Sequence, residues 1–145
     1  MLRVARRRVV ILTWDITVGA LFWLTAYYFP QITAFDATRF RPVRELADAL
    51  GGARIMEVPI PHDCQDGFLA AFWAKPEEYL SPWRRAAISG FAQMPADVLR
   101  EGLGRLANDL QSGVWDQRFG WLRNQKSLDA GYRLLIAEAG TRTIL

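Results

Sequence analysis

Histidine and cysteine each occur once, and they fall together in His62-Asp63-Cys64, with Asp66 two positions on. Four ligand-type side chains in so short a stretch invite a zinc reading, but a tetrahedral site draws three or four ligands that converge from different directions. Crowded this way they cannot all reach one ion without a special turn, so no metal centre is expected. One cysteine excludes an internal disulfide. With no second base to activate it, Cys64 reads as a small hydrophobe rather than a nucleophile. His62 either completes a turn between Pro61 and Asp63 or accepts a proton near neutral pH. Near the amino terminus Trp14-Asp15 ends an apolar run. Asp15 has two readings there, the N-cap of a following helix and a general base, and the preference of Asp for caps favours the first. Six tryptophans serve packing first, given the area each buries. Trp14, Trp73 and Trp83 are also compatible with an aromatic-lined pocket, together with Asp15, His62 and Asp63. No catalytic residue is assigned.

These residues belong to a chain of 145, the length of one domain, with 51% hydrophobic and 23% charged residues. That mix excludes a disordered tail and a collagen-like or low-complexity scaffold. The net charge is +3. Arg3, Arg6, Arg7 and Arg8 alone exceed it, so the body of the chain is slightly acidic. A nucleic-acid partner, which needs a basic face spread along its elements, is not expected.

Residues 9–29 have the length of a membrane span behind positive residues, and a single-pass protein is the less favoured alternative. Asp15 decides against it. A carboxylate in a span costs about 2.5–3.5 kcal/mol, and each Leu or Ile returns only about 0.3–0.6. Val9 to Trp14 instead reads as a β-strand buried on both faces of a sheet. Asp15 marks its carboxyl end, and Leu21 to Tyr28 continue at helical spacing until Pro30 stops them. Neither a membrane partner nor a location other than the cytoplasm is expected.

Further along, Phe40-Arg41-Pro42 opens a helix with Pro in its first turn. Val43, Leu46, Ala47 and Leu50 share one face of it, and Gly51-Gly52 provide its left-handed cap. Arg54 to Ile60 alternates as a strand, and strand–crossover–strand implies a parallel pair. Gly67 to Trp73 reads as a short helix. Ser81-Pro82 caps and starts another. Pro95 begins the cleanest helix, with Leu99, Leu103, Leu106 and Leu110 on one face and Gly113 past its end. Trp115 to Leu122 is a further short helix, and Tyr132 to Ala137 returns to strand. The fold class is α/β, a single domain over residues 1–145 with a helical, cap-like insertion over residues 61–128.

In that order the chain resembles the carboxyl-terminal half of class I S-adenosylmethionine-dependent methyltransferases, the small-molecule kind related to quinone-biosynthesis enzymes. The resemblance rests on Arg8 to Asp15, Phe22-Trp23 and Tyr28-Phe29-Pro30. It continues through Pro59 to Cys64, Asp66-Gly67-Phe68, Trp73, Pro76, Tyr79-Leu80 and Gly131 to Leu134. It implies a partial Rossmann-like sheet of three strands, the last antiparallel and between the other two. Val4-Ala5-Arg6-Arg7 departs from the family's glycine-containing turn before the first of these strands.

The family holds S-adenosylmethionine with a glycine-rich loop after a strand and an acidic residue ending the next. No Gly-x-Gly-x-Gly lies between a strand and a helix here; Gly51-Gly52 cap a helix, and Gly102-x-Gly104 lies inside one. The resemblance therefore implies a truncated transferase that contacts a small-molecule acceptor through Trp14, Asp15, His62, Asp63, Trp73 and Trp83. It binds no S-adenosylmethionine by itself and is not catalytic alone. Val9 to Trp14 becomes an open strand edge, expected to make a homodimer or to accept a complementary amino-terminal half. The alternative is a ligand- or partner-binding module derived from the same fold.

Overall fold

The computed structural model describes residue 5 and residues 7–138. The turn at residues 4–7, like Arg3 and Arg6, falls largely outside them. Strand β1 (Arg8–Trp14) lies along β5 (Tyr132–Glu138) in antiparallel register from Arg8↔Glu138 to Trp14↔Tyr132. Strand β2 (Arg54–Glu57) takes the other side of β5, from Arg54↔Ile136 to Glu57↔Arg133. The order is β1-β5-β2, so the last strand does lie between the other two and runs against both. The directly parallel pair expected from strand–crossover–strand does not form, because β5 separates two strands that share a direction.

Burial on both faces of β1 is also corrected. Helix α3 (Val43–Ala49) covers one face, where Val43 and Ala47 pack with Ala53, Leu135 and Ala137 and with the half-buried Ile11. The opposite face is open among the described residues. Val10 and Leu12 are 53% and 61% exposed there, beside Met56 and the half-buried Ile136 and Leu134 paired to them. One covering helix cannot bury two faces.

Between β1 and α3 the chain breaks into short pieces. Helix α1 (Ile16–Gly19) is followed by one π-helical turn over Leu24–Tyr28, closed by the Phe29 N–H donating to the Leu24 carbonyl at 2.9 Å. Helix α2 (Pro30–Ala37) follows. The helical run does end before Pro30, which also starts the next helix, as its missing N–H costs nothing at the first position. Residues 9–29 thus form no single helix, and no helix among the described residues is long and apolar enough to cross a membrane. Pro42 is the residue before α3, not part of its first turn.

The Arg54–Ile60 strand is also interrupted. After β2, Ile60–Pro61 forms a separate strand β3 paired with β4 (Ser127–Leu128), with Ile60↔Leu128 and Pro61↔Ser127 in register. Pro59 has no N–H to offer a continuous ladder. Gly67 to Trp73 is a run of turns instead of the expected helix. Its Ala70, Ala71, Phe72 and Trp73 are nevertheless all buried, so packing against neighbours fixes the segment in place of a hydrogen-bond ladder.

A 3₁₀ turn (Pro76–Leu80) leads to α4 (Pro82–Ala86) and α5 (Ser89–Ala92). Helix α6 (Ala96–Ser112) runs as expected, ending at Gly113 with φ of 78°. Helix α7 (Val114–Phe119) continues into a 3₁₀ turn over Gly120–Asn124. The main core joins this region to residues 22–32: Trp23, Phe29, Trp73, Tyr79, Leu106 and Trp115 are 0–3% exposed within it.

Candidate functional site

The strand-end corner is built from both termini. Trp14 is 7% exposed, and its indole N–H donates to the Ala130 carbonyl at 2.8 Å. Gly19 makes room for that indole, since a Cβ at this position would run into the ring. The Asp15 N–H donates to the Gly131 carbonyl at 2.7 Å. Gly131 itself sits at φ 93°, against the Asp15 carbonyl. The Asp15 carboxylate accepts from the Thr17 N–H at 3.1 Å and the Thr17 hydroxyl at 2.7 Å. Asp15 is thus the N-cap of α1, the first of its two sequence readings, and its side chain is occupied there.

Beside this corner opens a cleft of about 230 Å³. Trp14, Phe40, Phe68 and Tyr132 give it aromatic walls, α2 contributes Ile32, Phe35 and Asp36, and residues 87–90 close the far side. Phe40 meets Trp14 edge-on at 6.2 Å between ring centres, and Phe68 meets Tyr132 at 5.1 Å. Burial pushes the Asp36 carboxyl above its ordinary range, opposed by the Arg39 guanidinium. Among the described residues no hydrogen bond or ion pair reaches that carboxylate. Arg39 is held at the rim, where it donates to Gln93 at 3.1 Å and lies over the Phe35 ring at 4.8 Å. Burial chiefly, with the Asp36 charge adding to it, raises the Tyr132 phenol well above its usual value, so it stays neutral. The cleft lies at the carboxyl end of β1 and the amino end of β5.

Of the six candidates from sequence, only Trp14 lines this cleft. Asp15 is adjacent but committed to its cap. The His62 backbone N–H donates to Lys126, and its ring stands edge-on to Trp73 at 5.7 Å, in the turn after β3. Asp63 is exposed on that turn. Trp73 is fully buried: its indole donates to the Ile60 carbonyl at 3.1 Å, and its own carbonyl accepts from the Trp23 indole at 2.9 Å. Trp83 is 83% exposed and lines no part of the cleft. The residues that sequence reasoning missed are Asp36, Phe40, Phe68 and Tyr132. One local signal was present, an acid flanked by Phe35 and by Arg39-Phe40 at helical spacing.

No family model matches the chain, and no curated protein matches it. Among solved structures it is similar to a protein of Anabaena variabilis, provisionally named a methyltransferase from an antibiotic biosynthesis pathway. The two are 35% identical with a TM-score of 0.81 over 90% of this chain and 54% of the other. This chain therefore has a methyltransferase-like fold and spans about half the length of the protein it matches.

Proposed function

We propose that this chain forms the acceptor-binding part of an S-adenosylmethionine-dependent methyltransferase acting on a small molecule. In this reading its three strands belong to a larger Rossmann-like sheet. The observation that supports it is the Trp14 corner opening onto an aromatic cleft at the strand's carboxyl end, in a fold shared with a protein named as a methyltransferase.

The residues present do not fit the methyl donor. Dinucleotide-type sites hold their ligand by close backbone approach at a glycine-rich turn after a strand. Here the turn after β1 is led by Asp15, whose carboxylate is spent on Thr17. The chain leaving β2 enters Val58-Pro59. What these residues supply is a shaped, largely apolar wall that positions an acceptor and excludes water, the two effects from which most methyl-transfer acceleration is drawn. The donor is held elsewhere, by a strand–helix segment that pairs with the free edge of β1 and covers its open face.

Calorimetric titration of the chain with S-adenosylmethionine should give no heat. A chain carrying a glycine-rich donor half, co-purified with this one, should restore saturable binding. Tight binding of the donor to this chain alone would overturn the reading, as would failure of the two chains to associate.

A further inference from the structure

We infer that the cleft between Trp14 and Tyr132 takes a neutral planar molecule of one or two aromatic rings whose hydroxyl donates a hydrogen bond to Asp36. This deepens the proposed function and rests on its placement of the acceptor site.

Four observations lead there. The volume, about 230 Å³, falls below the range of about 300–1,000 Å³ typical of drug-sized ligands, so the occupant is small. Its walls are rings set at steep angles to their neighbours, 77° for Trp14 with Phe40 and 76° for Phe68 with Tyr132. Such walls present both faces and edges to a flat guest. The Asp36 carboxylate lines the cleft half-buried, without a hydrogen-bond partner among the described residues. Removing a carboxylate from water without a donor is costly, and a ligand hydroxyl supplies the donor that the protein does not. The charges at the mouth then select among donors. Arg39, pinned at the rim by Gln93 and Phe35, partly cancels the Asp36 charge, so the mouth holds little net charge to repay the desolvation of an ion. A neutral hydroxyl gives up least water on entering.

Titration of the whole chain with naphthol and with its methyl ether, methoxynaphthalene, tests this without any methyl donor. The two probes share a ring system and differ in the donated hydrogen. Naphthol should bind one to one, at least about tenfold more tightly than the ether, the worth of one hydrogen bond. Asp36→Ala should bring the two affinities together, whereas Asp36→Asn, which keeps an acceptor oxygen, should retain a preference for naphthol. Asp36 holds no partner among the described residues, so both variants should melt close to the parent, and unchanged amide spectra would confirm it.

Equal binding of the two probes by the parent chain overturns the inference. So does a preference for naphthol that survives in Asp36→Ala, or no binding of naphthol at all. These results bear on the ligand class alone. Failure of the methyltransferase reading would show instead as tight binding of S-adenosylmethionine to this chain alone, or as a donor half that does not associate with it.

Discussion

Arg133 is 6% exposed, and such a charge survives burial only when paired. Its fork meets both oxygens of Asp129, at 2.7 and 2.9 Å, while the Gly131 N–H donates to the same carboxylate at 2.9 Å. Arg133 first, and the Gly131 amide after burial's opposing effect, hold the Asp129 carboxyl below its ordinary range. The folded state therefore prefers the ionised form. This stability is present above the unfolded carboxylate pKa of about 3.9 and is lost as pH falls through the lower folded value. Asp129→Asn should cost about 3 kcal/mol at neutral pH, because it strands a buried guanidinium, and should flatten the acid limb of the stability curve. Urea unfolding from pH 7 down to pH 2 measures both. At this scale the sequence was legible where a residue acts on its near neighbours. Asp15 capping α1 is such a case, and the indole of Trp14 reaches only to a strand-end turn. Asp36 was not legible, because its burial depends on Trp14, Phe68 and Tyr132 arriving from distant segments. His62 and Trp73 lie away from this cleft for the same reason, His62 in the turn after β3 and Trp73 inside the core.

Helix α6 was the most readable element: a stripe of leucines, a preceding proline and a terminal glycine sufficed. Its two internal glycines look alike in sequence and differ in space. Gly102 lies against Phe29, whose ring a Cβ would strike, whereas a Cβ on Gly104 would meet nothing within 4 Å. Alanine in a helix is favoured over glycine by about 1 kcal/mol. Gly104→Ala should therefore stabilise the protein by about 0.5–1 kcal/mol. Gly102→Ala should destabilise it by about 1–3 kcal/mol through overpacking. Thermal melts of the two variants should move in opposite directions from the parent. Helical spacing over Leu21 to Tyr28 foretold a helical piece but not the π turn at Leu24–Tyr28, and the turns at residues 68–74 read as a helix, because a period of 3.6 does not report which hydrogen bonds close. Both are held by buried aromatic rings, Tyr28 and Phe29 in one, Phe72 and Trp73 in the other.

Across the described residues, β1 and β2 are the two edges of the sheet, and β1 also carries an uncovered face. Sheet edges of this kind are templates for association. A second copy adding its own β1 antiparallel would extend the sheet but leave Val10 and Leu12 uncovered, whereas a strand followed by a helix would close both. Leu12→Lys should accordingly abolish co-purification with a donor half and leave edge-to-edge self-association in place, with circular dichroism unchanged. Sedimentation velocity of the parent and the variant separates these effects. The strand order was legible through the resemblance, while the bareness of one face was not, since an apolar run reads the same whether or not something covers it.

Trp14 belongs to neither of the two hydrophobic clusters: the smaller lies between the sheet and α3, and the larger gathers residues 22–32 with those from 60 to 130. The cleft it borders is otherwise walled by the larger cluster, through Ile32, Phe68, Ile88 and Tyr132. Its width is therefore governed by how the strand end leans on that body. A guest that grips Trp14 on one bank and Ile88 on the other would act as a rivet, stiffening the whole protein from a single point.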